Sequence, residues 1–438
     1  MKKSNYSTLV FMLLVSAVLS GQNIQPISFD IDTPIDVNVD AQNNAWVTSS
    51  GTGNNDSQVI KVLPDGTKQT IIAGLPSFFD FIANELKGTM SARLMDDGRI
   101  IVCQGEGVEP LSSTILEFHW DDYLSKGAPL TLGDHRSALM VGEWAVANGF
   151  DHSNPYSFVE TPNGDIIISD AAANAIFRFS KNANELELLA EFPPFPNPTP
   201  IGPPFVEVVP TKILAHPNGG YLVSTLTGFP FLDGAASIYH LQENGDVQPH
   251  AVGLTLVTDM DFDPNDGKLV ALQFAKFGPV DTTLNFQFES AQLIKIEPNG
   301  ELDTIASGFG PSPGLAFDAD GSAYLTHLFL GQLLKSDPLS TDVFTADKWT
   351  PQPLSVFPNP SNGEFSVECV LGKSSAISYQ LIDVNGKLVS GGEYGNYPSG
   401  KHRIPFHFSH AFDGHAVFQL VLTSAEEIFT SKIILHKP

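Results

Sequence analysis

The chain has 438 residues, of which 42% are hydrophobic and 16% are charged, and this composition excludes an intrinsically disordered protein. Its formal net charge of -26 disfavours phosphate backbones and anionic membrane surfaces, so we predict no nucleic-acid partner. Glycine and proline are both frequent, at 37 and 32 residues, as expected for an all-β protein with many turns.

Residues 1–21 are predicted to form a secretory signal peptide. Lys2 and Lys3 provide its positive end, residues 9–19 its apolar core, and Ser20 and Gly21 are small residues suited to cleavage. The apolar run of about 11 residues is too short for a membrane span, which needs about 20, and we predict no transmembrane segment in the mature chain.

A repeated strand–turn–strand pattern occupies residues 22–337. Its turns recur at intervals of about 50 to 65 residues, close to the length of one four-stranded propeller blade with loop insertions. Two-residue hairpin turns need positive φ, which Asn, Asp and Gly adopt readily. The pattern therefore predicts an all-β fold, a six-bladed β-propeller. The turns are Asn43-Asn44, Asp97-Gly98, Asn163-Gly164, Asn218-Gly219, Asp266-Gly267 and Asp320-Gly321.

The predicted blades end with one that is a strand short, and we expect a strand over Ile24–Ile31 to complete it. Such a closure joins the two ends of the repeat and removes exposed sheet edges. The blades are predicted over residues 35–75, 91–133, 154–192, 209–254, 257–309 and 312–337.

A polar linker over residues 338–353 is predicted to lead into a small C-terminal β-sandwich over residues 354–438. Cys103 and Cys369 fall in different units, and we expect two buried thiols rather than a disulfide.

The hairpin turns are all predicted to lie at one end of the propeller, so that the long connections lie at the opposite, loop-bearing end. Long loops without structure of their own are usually functional or mobile, and we expect any ligand at that end. Two of these loops are rich in proline and phenylalanine, and the second contains Phe229 and Phe231. Either they pack on each other as a lid or they form an aromatic groove for an apolar ligand or a glycan. The long segments are 104–113, 130–154, 192–210, 225–236 and 274–291.

The C-terminal unit resembles the type A sorting domain of the type IX secretion system of Bacteroidetes. Three motifs carry the resemblance, in the order Val356-Phe-Pro-Asn-Pro-Ser-Asn-Gly363, Leu381-Ile-Asp-Val-Asn-Gly-Lys387 and Lys432-Ile-Ile-Leu-His-Lys437. The resemblance implies secretion or attachment to the outer membrane surface after processing of signal peptide and sorting domain, with the type IX machinery as partner. It identifies Pro358, Asn359, Pro360, Gly363, Asn385, Gly386 and Lys432 as sorting-signal residues.

The middle of the chain resembles the ScyD/ScyE family of exported propellers, which are related to NHL repeats. The resemblance is strongest over residues 154–337 and is carried by Asn154-Pro-Tyr156, Ser169-Asp-Ala-Ala-Ala-Asn174 and Leu226-Thr-Gly-Phe-Pro-Phe231. It implies fold and export, but no reaction.

Related six-bladed propellers include lactonases and esterase-like enzymes that hold a divalent cation, such as calcium, at the channel mouth. Oxygen ligands from several segments suit Ca²⁺, and Asn154, Asp170 and Asp259 are the candidate ligands. Asp170 and Asn174 also occupy positions where a turn needs such side chains.

Three functions follow from these observations. The first is a secreted binding propeller for a small molecule or glycan, with Asn154, Asp170, Asn174, Phe229 and Phe231 at its site. The second is a metal-dependent lactonase or esterase-like hydrolase, and the third is a structural cell-surface scaffold.

Overall fold

A computed structural model of the protein describes residues 17–18, 23–81, 85–280, 283–339, 352–383, 388–408, 415–424 and 428–436. The predicted signal peptide lies outside the described residues, except for Ala17 and Val18. No helix in the described ranges is long and apolar enough to cross a membrane.

The first half of the propeller comprises three four-stranded antiparallel blades in chain order. Two short strands precede them, β1 (Ala17–Val18) and β2 (Asn23–Ser28). Blade 1 contains β3 (Pro34–Val39), β4 (Ala45–Ser49), β5 (Ser57–Val62) and β6 (Lys68–Leu75). A hairpin of β7 (Phe78–Asp80) and β8 (Glu85–Lys87) leads to blade 2, with β9 (Thr89–Leu94), β10 (Arg99–Gln104), β11 (Thr114–His119) and β12 (Ser137–Leu139). Helix α1 (Trp120–Lys126) and a 3-10 turn (Leu132–Asp134) precede β12, and α2 (Val141–Ala147) follows it. Blade 3 contains β13 (Pro155–Glu160), β14 (Ile166–Asp170), β15 (Ala175–Ser180) and β16 (Glu185–Glu191).

The second half repeats this arrangement with hairpins inserted into two of its connections. The hairpin of β17 (Phe195–Pro196) and β18 (Phe205–Val206) precedes blade 4, with β19 (Val208–Ala215), β20 (Tyr221–Thr227), β21 (Ala236–Leu241) and β22 (Val247–Leu254). Blade 5 begins with β23 (Val257–Phe262) and β24 (Leu269–Gln273), continues through a hairpin of β25 (Phe277–Val280) and β26 (Thr283–Phe286), and ends with β27 (Ala291–Ile296) and β28 (Leu302–Phe309). Blade 6 contains β29 (Leu315–Phe317), β30 (Ser322–His327) and β31 (Gln332–Pro338).

The N-terminal strand β2 completes blade 6. It pairs antiparallel with β31, with Ile24 opposite Ser336, so one sheet contains both ends of the propeller sequence. The six-bladed prediction is confirmed. Strand β1 pairs with β2 but lies within the predicted signal peptide, so cleavage after Gly21 would leave blade 6 with four strands.

The hydrophobic core lies between neighbouring blades. Val59 and Ile72 of blade 1, for example, pack in one cluster with Val102 and Leu116 of blade 2, and all four are fully buried. Each such side chain contributes roughly 2 kcal/mol when it is removed from water. The second strand of a blade has neighbours on both faces, which explains why every residue of β4 and β24 is buried.

Blade 2 extends beyond its predicted end at residue 133, because its fourth strand is β12. The apolar residue Leu130 instead joins blade 1, where its backbone exchanges hydrogen bonds with Ile71 and Ala73, each of 2.8 Å. The segment 130–154 is therefore divided: residues before β12 lie at the turn end of the propeller, and residues after it lie at the loop-bearing end.

The first-to-second strand connections lie at the predicted positions. The glycine of each Asn-Gly or Asp-Gly pair has the expected positive φ, for example +86° at Gly98, but the residue before it does not, so these are not the predicted turns with positive φ at both positions. Antiparallel connectivity places all of these turns at one end of the ring and the second-to-third strand loops at the other.

The C-terminal unit is a β-sandwich of two sheets, as predicted. One sheet has the order β32-β39-β38-β35-β36 and the other β33-β34-β37, and side chains such as Val367, Ile404, Leu420 and Ile433 form the core between them. Cys369 belongs to this core, whereas Cys103 is buried in the propeller, and the two cysteines are not joined by a disulfide. The strands are β32 (Gln352–Pro353), β33 (Ser355–Phe357), β34 (Glu364–Leu371), β35 (Ser375–Asp383), β36 (Leu388–Tyr397), β37 (Gly400–His407), β38 (His415–Thr423) and β39 (Ile428–His436).

Candidate functional site

Asp170, the last residue of β14, is a buried carboxylate that fastens two loops of blade 3. It accepts hydrogen bonds from the Ser153 hydroxyl at 2.5 Å, the Asn154 backbone N–H at 2.7 Å and the Ala173 backbone N–H at 3.0 Å. Burial raises the pKa of Asp170 to about 6, although these donors favour the charged form. Both carboxylate oxygens are thus used to position the start of β13.

Asn154 links blade 3 to blade 2 through a hydrogen bond of its side chain. Its side-chain Oδ1 accepts the backbone N–H of Glu106 at 3.0 Å. The Glu106 carboxylate in turn contacts the Lys87 ammonium and lies 3.4 Å from Nδ1 of His152. The predicted candidates Asn154 and Asp170 therefore lie in one network, together with Glu106, at the loop-bearing end.

The charged groups around Glu106 form a mouth cluster. Lys87 also lies 3.7 Å from the Asp80 carboxylate, and burial raises the pKa of Glu85. Burial opposes the charge of Lys87, but the hydrogen bond to Glu106 raises its pKa above the ordinary value. The mouth cluster consists of Asp80, Glu85, Lys87, Glu106 and His152.

Asn174 serves the turn between β14 and β15. Its φ is +51°, a left-handed conformation that asparagine tolerates better than most residues, and its carbonyl accepts the Phe192 N–H at 2.8 Å. Its side-chain Oδ1 is buried and accepts no hydrogen bond from the described residues.

Asp259 lies away from this network, in the channel of the propeller. Lys212 Nζ lies 3.0 Å from its Oδ1 and 3.1 Å from Oδ1 of Asp36, and all three side chains are buried. The residues belong to the innermost strands of blades 5, 4 and 1. Because blades 1 and 4 are opposite in a ring of six, Lys212 spans the channel.

The carboxylates of Asp259 and Asp36 also accept hydrogen bonds from other residues around the channel. The Asp259 carboxylate also accepts the backbone N–H of Leu315 in blade 6 at 2.8 Å. Asn38 donates to Asp36 at 2.9 Å and accepts from Arg93 of blade 2 at 3.3 Å. The channel cluster consists of Asp36, Asn38, Arg93, Lys212 and Asp259.

Lys212 carries a positive charge in the channel. Burial disfavours its charge, but the carboxylates of Asp259 and Asp36 raise its pKa above the ordinary value. Burial also raises the pKa of Tyr156, and the negative charges of Asp259, Asp36 and Glu85 act in the same direction. The Tyr156 phenol is therefore within electrostatic range of both the channel cluster and the mouth cluster.

Phe229 and Phe231 lie in an aromatic patch at the loop-bearing end. Ring centroids of Phe231 and Phe277 are 5.1 Å apart, and those of Phe231 and Phe286 are 5.3 Å apart, so the β20–β21 loop packs on the β25–β26 hairpin. Phe229 is 39% exposed. The aromatic patch consists of Phe229, Phe231, Phe274, Phe277 and Phe286.

The two proline-rich loops do contact each other. A Cβ built on Gly202 would lie 2.8 Å from the ring of Phe229, so the loop before blade 4 approaches the patch closely. Phe205 on that loop remains 53% exposed. The two loops therefore pack on each other while the rings of Phe205 and Phe229 stay partly exposed, and an aromatic groove for a ligand stays a prediction.

Sequence reasoning missed Lys212 and Asp36. Both are charged residues within apolar innermost strands, six or seven residues before the hairpin turn, and Asp259 occupies the equivalent position. Superposing the repeats on their turns would have revealed three charges at one level of the channel.

The sorting-signal residues Asn359 and Gly363 have structural roles in the sandwich. Asn359 Nδ2 donates to the Lys432 carbonyl at 2.6 Å, and its Oδ1 accepts the Ile434 N–H at 2.7 Å. A Cβ on Gly363, whose φ is +107°, would lie 2.6 Å from the Phe408 carbonyl oxygen. Pro358 and Pro360 flank Asn359 and are exposed, whereas Asn385 and Gly386 lie outside the described residues.

Several solved structures are similar to this chain at low identity. A gluconolactonase from Xanthomonas campestris is 13% identical with a TM-score of 0.47, covering 74% of this chain and 92% of that one. A structural genomics protein of unknown function from Bacteroides thetaiotaomicron is 10% identical with a TM-score of 0.46, covering 72% and 76%. The calcium-binding protein regucalcin from Agrobacterium tumefaciens is 13% identical with a TM-score of 0.35, covering 69% and 73%.

No curated protein sequence matches this chain. Residues 355–436 match the family model described as the secretion system C-terminal sorting domain. The C-terminal sandwich is therefore a type IX sorting domain, and it directs export of the chain to the medium or the cell surface.

Proposed function

We propose that the exported propeller binds a ligand with an apolar surface, either a small molecule or a glycan, at its loop-bearing end. The aromatic patch and the neighbouring Phe205 are the contact surface. The observation that supports this proposal is the exposure of Phe229, at 39%, on a loop held by ring–ring contacts, and of Phe205, at 53%, on the loop that approaches the Phe229 ring at Gly202.

Aromatic rings that stay partly exposed to water are energetically unfavourable, and contiguous exposed apolar surface is therefore typical of interaction sites. Each ring that a ligand covers would contribute roughly 1 to 3 kcal/mol of binding free energy through burial of apolar area. Prolines in the same loops reduce the entropy that is lost when the surface is ordered. The patch is thus suited to binding without a large rearrangement.

The test is a binding screen of the full chain against glycans and apolar metabolites, followed by the variants Phe229→Ala and Phe205→Ala. We expect each variant to lower the affinity for a ligand found in the screen roughly tenfold or more, since a lost aromatic contact is worth about 1.4 kcal/mol or more. Val252→Ala is the matched control, because Val252 is 60% exposed on the outer strand of blade 4. Equal binding by all three variants would contradict the proposal.

The alternative is a metal-dependent lactonase or esterase-like hydrolase that uses Asn154, Asp170 and Asp259. These residues do not fit one cation site. Asp170 accepts three hydrogen bonds from its own blade, and Asp259 pairs with the Lys212 ammonium. Across the described ranges, no three His, Cys, Asp or Glu side chains are arranged to hold a metal ion.

Elemental analysis of the purified protein, with and without a chelator, separates the two functions. A stoichiometric divalent cation such as calcium, together with chelator-sensitive hydrolysis of esters or lactones, would contradict the binding proposal in favour of the hydrolase.

We also propose that the propeller is a member of the ScyD/ScyE family. The proposed units of the chain are residues 1–21, 22–337, 338–353 and 354–438. The stretches Asn154–Tyr156 and Leu226–Phe231 support the family assignment. The family assignment adds no reaction.

A further inference from the structure

The sorting domain contains a shallow groove beside the motif that begins at Val356. Its volume is about 490 Å³, and its walls include exposed prolines and an exposed arginine. The groove is lined chiefly by Phe357, Pro358, Glu364, Arg403, Pro405 and His407.

Asn359, which follows the groove along the chain, forms a clasp with the last strand. Both ends of its side-chain amide are bonded to β39, and the backbone N–H of Ser361 donates to the Ile434 carbonyl at 2.9 Å. The amide is therefore engaged within the domain rather than free to bind a partner. Its effect is to hold Pro358 in place at the edge of the groove.

Arg403 is the distinctive group of the groove. The centre of its guanidinium lies 4.2 Å from the ring centroid of Phe357, so the aromatic ring supports the charged plane. Neighbouring polar groups on the same sheet have partners: the Lys401 ammonium lies 2.5 Å from the Glu368 carboxylate, and Nδ1 of His407 lies 3.3 Å from the Glu364 carboxylate. Within the described part of the sandwich, no carboxylate forms an ion pair with Arg403.

We propose that this groove is the surface by which the sorting domain docks on the secretion machinery. Its occupant is a segment of that machinery in which a carboxylate stands beside an apolar side chain. The guanidinium offers two parallel N–H donors to a carboxylate, while Phe357, Pro358 and Pro405 offer apolar walls. Arg403, which has no carboxylate partner among the described residues, is a positive group on a chain whose net charge of -26 repels acidic partners elsewhere.

The experiment compares full-length variants in a bacterium that possesses the type IX machinery. The fraction of the protein outside the cell and the fraction retained in the periplasm are measured by quantitative immunoblotting. Arg403→Glu should reduce the exported fraction roughly tenfold or more, because it replaces a charge-assisted pair by a repulsion. Phe357→Ala should reduce it less, since the arginine keeps its charge but loses its support.

Lys401→Glu is the matched control, with the same charge change on the same strand but outside the groove. It should be exported within twofold of the unmodified protein. Thermal unfolding of each purified full chain establishes that the variants are folded. Should Arg403→Glu fail to fold, Arg403→Gln decides the question, because it removes the charge but retains a planar group over Phe357.

Export of a folded Arg403→Glu or Arg403→Gln chain at the unmodified level would overturn the proposal. So would an equal loss with Lys401→Glu, which would indicate a general charge effect. If Arg403→Glu is exported normally but no longer retained at the cell surface, the groove binds an anionic surface lipid instead, and the proposal is wrong.

Discussion

The channel cluster and the aromatic patch lie in one propeller but differ in how completely their side chains are partnered. Lys212 is enclosed by two carboxylates within 3.1 Å, and its side chain is 6% exposed. Phe229 contacts the rings of Phe231 and Phe277 but remains 39% exposed. Satisfied, buried charges join blades, whereas incompletely covered rings are available to a ligand. Under the proposed function, the difference separates a stabilising site from a binding site within one fold.

The largest expected effect is on stability, at the channel. Lys212→Met should lower the free energy of unfolding by about 3 to 5 kcal/mol, because Asp36 and Asp259 would remain buried without their counter-charge. Chemical denaturation measures it. Lys181→Met, at an exposed lysine of blade 3, is the control and should change stability by less than about 0.5 kcal/mol.

The double variant Lys212→Met, Asp259→Asn should recover part of the loss, since it removes one of the uncompensated charges. If Lys212→Met costs less than about 1 kcal/mol, the channel cluster is not a bridge between blades.

The second prediction concerns pH and His327, a buried residue at the end of β30. Burial lowers the pKa of His327 to about 4 from an ordinary value of 6.5. The unfolded chain therefore binds a proton that the folded chain does not, so the stability contribution is complete above pH 6.5 and is lost as pH falls towards 4. The loss should reach roughly 3 kcal/mol.

Denaturation from pH 7 to pH 4.5 should show a shallower slope for His327→Gln than for the unmodified chain. His407→Gln, at a histidine of the sandwich whose side chain is 73% exposed, is the control and should change the slope less than His327→Gln does. Identical slopes for all three chains would show that His327 is not buried as a neutral group.

The smallest effect is expected at the patch. Phe229→Ala should cost only about 1 kcal/mol of unfolding free energy, because the ring is only partly removed from water. Denaturation of this variant beside Lys212→Met makes the comparison quantitative. A cost of 3 kcal/mol or more would mean that the patch is a structural lid, and the contrast between the two regions would disappear.

The positions of the hairpin turns could be predicted because they are encoded locally, in residue pairs such as Asp97-Gly98 whose glycine adopts positive φ. The end of blade 2 could not be predicted, because Leu130 follows an apolar pattern but pairs with Ile72 of the previous blade. Local pattern indicates that a residue is buried, but it does not indicate which sheet receives it.

The candidate site was less accessible to sequence reasoning for the same reason. Lys212 and Asp36 are 176 residues apart and meet only because the ring closes. Asn154 and Asp170, in contrast, are 16 residues apart within one blade. Both could be chosen as candidates from the sequence because they lie in short neighbouring stretches that resemble a known family. The exposed fraction of Phe229 could not be predicted either, because it depends on packing against Phe277 in a hairpin some 50 residues later in the chain.

The closure of blade 6 by β2 also sets an order of events during synthesis. Ile24 must wait for Ser336, more than 300 residues later, before it finds its partner, so this strand is synthesised long before it can be incorporated into its blade. Bringing such distant segments together is slow because loop closure precedes any gain from contact. Together with the predicted signal peptide, this order predicts that the ring is still open when the chain crosses the inner membrane.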